Sequence, residues 1–254
     1  MARYRFRLNV SGSYTANAVA FAGDGQCWLE RDAGFTSAAD GTQFLFSVWL
    51  DFTGRDAAQQ QILIGNGSRV QIIKRTTNLI RVLVKNTANT TILQMDQNSG
   101  VVAALVAAGG WNHIAATSKN TAAGGFSQLY INGTSCATMT TTPPYDDTSF
   151  DFTDTDWGIG ADVGGATNYL QADVAEFYWN DAASLDLSVA ANLEKLRSAS
   201  GHPVSLGSDG STPTGATPRL YLKDADVSFP TNYGSGGNMV KKGTTALAAG
   251  GSTP

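Results

Sequence analysis

Apolar and polar residues alternate with a period of two at the start of the chain. Tyr4, Phe6, Leu8 and Val10 interleave with Arg3, Arg5, Arg7 and Asn9. Successive side chains of a strand point to opposite faces, so this stretch predicts a strand with one buried face and an arginine-lined edge. The period returns at residues 44–52, where Phe44, Phe46, Val48, Leu50 and Phe52 share one face. The other face carries Leu45, Ser47, Trp49 and Asp51, which predicts a central strand covered on both sides. Further short strands are predicted at 61–64, 70–74, 79–85, 91–95, 113–118, 126–131, 170–179 and 219–222. The turn signals Gly65-Asn66-Gly67, Lys85-Asn86-Thr87, Gly124-Gly125 and Asn132-Gly133 punctuate them. Asn and Gly supply the positive φ that tight hairpins need. The pattern predicts an all-β fold, an antiparallel sandwich.

One segment breaks the period of two. Leu185, Val189, Leu193 and Leu196 recur at spacings of four, four and three, which predicts a short helix near 185–197, capped by Asp186 or Ser188. Beyond it, residues 207–218 read as a loop. The Gly- and Ala-rich stretch from Asn232 to Pro254 has the composition of a tail, with Met239-Val240 as one further strand candidate.

Composition narrows the partners. Charged residues are 15% of the 254, against about 25% in an average soluble domain, and the formal net charge is −4. This excludes a coiled coil and a charge-rich disordered chain, and no basic field points to nucleic acid. The most apolar run, 100–110, is far shorter than the roughly 20 residues of a membrane helix, and the first residues lack the apolar core of a signal peptide. The expectation is a chain made in a cytoplasm without membrane insertion, whose Cys27 and Cys136 are buried thiols rather than a disulfide.

Candidate chemistry is sparse. The two histidines are His113, inside a strand beside Trp111 and Ile114 and so read as structural, and His202, in a loop before Pro203. Glutamates number three, Glu30, Glu176 and Glu194. A glycosidase sandwich carries alternating acids on one strand. Glu30-Arg31-Asp32 lacks the third acid, and the spacing of Asp173 and Glu176 predicts opposite faces. The expectation is therefore no enzyme and no catalytic residue. One loop holds candidate binding residues: Tyr145, Asp146, Asp147, Asp154, Asp156 and Trp157, with Asp151 among them. Carboxylates bind calcium or sugar hydroxyls and an aromatic face stacks on a sugar ring. A solvated acidic loop with buried aromatics gives the same composition and is the commoner outcome. No cofactor is expected, calcium excepted, and the spacing is not that of an EF-hand.

Several segments in order resemble the laminin-G-like, concanavalin-A-like jelly-roll superfamily. They are Asn17 to Phe21 with Trp28-Leu29, Phe46 to Leu50, Gly110-Trp111-Asn112-His113-Ile114-Ala115, Leu129-Tyr130-Ile131-Asn132-Gly133, Trp157 to Gly160, and Ala172 to Trp179. The resemblance covers about residues 15–200 and implies a jelly-roll sandwich of a family with glycan-binding and adhesion modules. The stretch from Pro218 through Asn238 to Pro254 is similar to the endings of phage-encoded members. It implies a non-catalytic virion protein of a bacteriophage, on the capsid as decoration or on the tail, made in the host cytoplasm. A glycan-binding adhesion module is the alternative, and a glycoside hydrolase the remote one. The expected organisation is an N-terminal strand, 1–14, with Arg3, Arg5 and Arg7 as a docking edge, and one domain, 15–254, with its Gly-rich end folded back. The expected partners are other virion proteins, further copies of this chain in a homo-oligomer, and a host-surface glycan.

Overall fold

The computed structural model describes residues 14–23, 27–53, 59–164, 167–251 and 253–254. The docking strand expected at Arg3, Arg5 and Arg7 lies outside them. The chain forms β1 (Val19–Ala22), β2 (Trp28–Arg31), β3 (Gln43–Asp51), β4 (Gln61–Gly65), β5 (Val70–Lys74) and β6 (Ile80–Lys85). β7 (Thr91–Gln97), the one-turn α1 (Leu105–Ala108), β8 (Trp111–Lys119), β9 (Phe126–Ile131), β10 (Thr134–Ser135) and β11 (Ala137–Thr141) follow. The last elements are β12 (Trp157–Ile159), β13 (Gln171–Asn180), α2 (Ala190–Leu193), β14 (Leu220–Leu222), β15 (Val240–Lys242) and β16 (Ala248–Ala249).

These strands make the expected jelly-roll sandwich of two antiparallel sheets. The first runs β10-β9-β8-β3-β13-β1-β16, with β14 also on β13, and the second runs β11-β7-β6-β5-β4-β12-β2-β15. Their facing sides enclose one core that includes Phe44, Phe46, Val48, Leu50, Ile72, Val82 and Trp179. Each such side chain contributes about 1.5–3 kcal/mol by leaving water. β3 is covered on both faces, as its sequence predicts. Its outward Leu45 packs with Tyr178, Leu187, Leu196, Leu206 and Tyr221, and its outward Trp49 with Ala16, Ala18 and Ala175. The segments 14–18 and 185–206 thus form a third layer over the first sheet.

Two features depart from the sequence reading, and a third follows its expectation that the C-terminal stretch folds back. The helix expected over 185–197 is the single turn α2. The Asp186 carboxylate accepts hydrogen bonds from the Ser188 amide and hydroxyl, at 3.0 and 2.6 Å, and Val189 stays extended at φ −85°, ψ 111°, so the helix starts only at Ala190. That local bonding competes with helix formation, while the leucines still reach the sheet. In β13, the register moves from Ala175 opposite Trp49 to Tyr178 opposite Ser47, a bulge with an extra residue. Glu176 sits in it at φ +50°. Because of that residue, Asp173 and Glu176 share the outer face rather than pointing to opposite ones. Finally, the Gly-rich end contributes two edge strands, β15 on β2 and β16 on β1.

Candidate functional site

The Asp-rich loop does not converge into one site. Phe150 and Phe152 are fully buried, and Asp151 between them donates its amide to the Lys85 carbonyl and pairs with Arg69 at 3.3 Å. This buried stretch separates the loop into two halves. In the first, Tyr145 has φ +53°, donates its amide to Asn120 Oδ1 at 2.7 Å, and is half-buried. Asp146 is exposed and accepts the Thr148 amide at 3.0 Å, and the Thr148 hydroxyl and amide hold its carboxyl below the usual range. Asp147 is exposed at φ +69°. In the second half, Asp154 and Asp156 are half-buried, and Asp154 accepts the Thr155 amide. Trp157 offers no face to a sugar. It is 0% exposed, with ring centroids 4.7 Å from Phe35 and 5.6 Å from Trp179. Its place on the short central β12 turns its indole into the core. Among the described residues, no three His, Cys, Asp or Glu side chains group as metal ligands.

The outward acids of β13 hold the third layer in place. Glu176 accepts the hydroxyls of Tyr14 at 2.5 Å and Tyr221 at 2.7 Å, and burial pushes its carboxyl up. Both phenols are raised in turn by burial and by the adjacent carboxylate. Asp173 Oδ2 accepts the Gly251 amide at 2.7 Å. Glu176 ties Tyr14 of the covering layer and Tyr221 of β14 to the sheet, and Asp173 ties the chain after β16, a geometry suited to attachment rather than proton transfer to a substrate. His113 is also structural: fully buried, it meets Ser47 Oγ through Nε2 at 2.9 Å and lies 4.9 Å from the Trp49 ring. Burial, and then the Arg197 charge, push it down to about 3.

A different constellation has the chemistry of a ligand site. Where β1, β4 and β13 meet, Gly23, Gln59, Gln61, Asn168, Tyr169 and Gln171 line a cleft of about 320 Å³. Gln61 is buried, and its Oε1 accepts the Gln171 amide at 2.9 Å. The Gln59 carbonyl is held by Lys74 Nζ at 3.0 Å. Asn168 is tied to Asp162 at 2.5 Å, and its carbonyl accepts the Ile62 amide at 2.9 Å. Gly23 has φ +74°, and a Cβ there would stand 2.4 Å from Gln171 Cβ, so glycine is what lets Gln171 into the cleft. The Tyr169 ring packs against Trp28 at 6.2 Å. Four primary amides stand beside a half-buried ring; the Gln61 oxygen and the Asn168 amide nitrogen also hold the protein's own groups, and the lining as a whole has the mixed polar and apolar character that suits a sugar. A larger hollow of about 630 Å³ lies between Tyr14 and the 198–205 loop. The Ser198 hydroxyl on its wall is committed to closing a turn with His202. Sequence reading missed the cleft because its residues come from three distant stretches; the one local hint is amide density around 59–61 and 168–171.

Comparison with known proteins gives a family. The model of the concanavalin A-like lectin/glucanases superfamily matches residues 21–189. No curated protein sequence matches the chain. Among solved structures, a Bacteroides ovatus protein thought to bind carbohydrate is similar at 14% identity and a TM-score of 0.57, over 93% of this chain and 62% of that one. Mouse laminin alpha1 domains LG4-5 align at 16% identity and a TM-score of 0.45, over 68% of this chain and 43% of theirs. A pentraxin of Limulus polyphemus aligns at 13% identity and a TM-score of 0.43, over 70% of this chain and 81% of its own. The chain thus spans less than two thirds of the length of the first two.

Proposed function

This chain belongs to the concanavalin A-like lectin/glucanases superfamily, and from that premise we propose that it is a non-catalytic binding module whose ligand is a glycan held in the amide-lined cleft. The observation that carries this reading is the grouping of Gln59, Gln61, Asn168 and Gln171 around Tyr169. The likeness in fold to the Bacteroides ovatus protein agrees with it. The Glu176 and Asp173 contacts supply the argument against hydrolysis, since the acids of β13 are spent on the covering layer.

A glycan array with and without calcium, followed by calorimetry on the strongest hit, tests the proposal. Tyr169→Ala and Gln171→Ala are each expected to weaken binding about tenfold, the loss of one ligand contact. Asp154→Ala with Asp156→Ala is the discriminating arm: weakening there alone would move the site to the Asp-rich loop and calcium. An empty array under both conditions would overturn the glycan reading.

The setting we propose is the surface of a bacteriophage virion, with the glycan on the host. Its support is the resemblance of the C-terminal stretch to phage-encoded members. Mass spectrometry of purified particles tests it. The chain is expected at stoichiometric level, and deletion of residues 1–10 is expected to reduce incorporation. Unchanged incorporation would remove Arg3, Arg5 and Arg7 from the docking role.

A further inference from the structure

Among the described residues the two sheets end in four edges, and three of them are guarded against pairing. β10 and β16, at the ends of the first sheet, are two residues long. β15, at one end of the second, carries Lys241 and Lys242, whose like charges self-pairing would bring together. β11, at the other end, is the exception. It runs for five residues as Ala-Thr-Met-Thr-Thr, with neither a charge nor a proline. The phase of its ladder with β7 fixes which backbone groups are spare. The Asn98 amide donates to the Cys136 carbonyl at 2.6 Å, Ala137 stands opposite Gln97, and Thr138 stands opposite Asp96. The backbone groups of an antiparallel strand alternate between its two sides. Thr138 therefore bonds to β7, while Ala137 and Met139 turn their amides and carbonyls outward. Among the described residues, no backbone group bonds to them there. The edge of β9 on the same side of the sandwich is covered instead: β10 pairs with Ile131 and Tyr130, and the Cys136 amide donates to the Leu129 carbonyl at 2.9 Å.

We propose that β11 is the interface for a second copy of this chain, the two strands pairing antiparallel across a two-fold axis at Thr138. Ala137 of each copy then stands opposite Met139 of the other and exchanges both backbone hydrogen bonds with it. The two Thr138 side chains, exposed on the outer face, meet as a non-hydrogen-bonded pair, the closer spacing of an antiparallel ladder. The occupant is a second copy because a strand run antiparallel to itself is self-complementary, and an uncharged edge brings no like charges together when it meets its own image. The nearest carboxylate does not oppose the pairing, since Asp96 beside Thr138 is taken by Arg81 at 2.7 and 3.2 Å. The second sheets of the two copies run on as one. β5, β6 and β7 lie between β11 and β4, which carries Gln61 of the cleft. Both clefts therefore stay open, and the interface stands or falls independently of the function proposed above.

Analytical ultracentrifugation and cross-linking of the full chain test the interface. A contact this short belongs to the weak class, so a monomer–dimer equilibrium is expected, with the dimer prominent at about 100 μM. Thr138→Cys fixes the position. Thiols on a pair at that spacing lie within disulfide reach. The native Cys27 and Cys136 are buried, and burial pushes the Cys136 thiol up to about 12, so the introduced thiol alone reports. Mild oxidation is expected to turn most of this variant into a covalent dimer. Val240→Cys, exposed on the guarded β15, is expected to stay monomeric under the same conditions. Ala137→Pro removes an outward N–H that β7 does not use and is expected to weaken dimerisation tenfold or more. If that variant does not fold, cross-linking at Thr138 carries the test, because that side chain is exposed. No cross-link at Thr138, equal cross-linking at Thr138 and Val240, or dimerisation unchanged by Ala137→Pro would overturn the interface.

Discussion

At the scale of single residues, two buried titratable groups give the protein opposing responses to pH. Burial raises the Glu176 carboxyl, so the folded state holds that proton more tightly than the unfolded chain. Stability therefore falls as pH climbs from the ordinary glutamate value to the raised one and is flat above it. Glu176→Gln is expected to remove this fall, seen as a urea midpoint that rises more, or falls less, from pH 4 to pH 8 than in the parent. His113 works in reverse. Its ring is pushed down to about 3, so the unfolded chain takes a proton below about 6.5 that the folded chain refuses. Stability on this account is lost as pH falls from about 6.5 toward 3. An NMR titration is expected to show the His113 ring still neutral at pH 5; an imidazolium there would contradict its burial. Trp157 tests packing without charge. Trp157→Ala is expected to cost about 3–5 kcal/mol by chemical denaturation, the range for a large aromatic removed from a filled core. The loss follows from its contacts with Phe35 and Trp179.

At the scale of elements, legibility followed periodicity. β3 was readable, down to its cover on both faces, because nine residues alternate without interruption. α2 was overestimated because the leucine spacing is genuine but serves a layer of turns, and the Asp186 carboxylate outcompetes the helix where it was expected to start. The β13 bulge left no trace in the sequence: Glu176 has neither the Gly nor the Asn that advertises positive φ. The cleft was hidden for a related reason, since only strand pairing brings 59–61 beside 168–171. β15 and β16 are two to three residues long and lack an apolar stripe. Their role is nevertheless substantial. Met239 and Leu247 beside them are 3% and 4% exposed. Truncation after residue 238 is expected to cost on the order of 5 kcal/mol, from five lost ladder pairs at about 1 kcal/mol each, and more from the apolar groups. It would also bare the edges of β1 and β2, so light scattering on warming is expected to rise earlier than in the full chain. An unchanged melting temperature would mean these strands merely decorate the sheets.

At the scale of the whole molecule, the outer face of the first sheet is covered, among the described residues, by the segments 14–18 and 185–206. Assembly of copies into a homo-oligomer, which we propose, would then proceed through sheet edges or the second sheet. Multi-angle light scattering is expected to give a multiple of 26.6 kDa, and a monomer at every concentration tested would end that proposal. The covering layer has one more consequence. Tyr14 and Thr15 line the same hollow as Thr253 and Pro254. Tyr14, the first described residue, therefore lies beside Pro254, and a brief Gly-Ser bridge joining these two would close residues 14–254 into a ring. Cut again at the exposed Gly124 turn, such a circular permutant would keep every strand pair, or the whole module could be spliced as a cassette into the loop of an unrelated carrier.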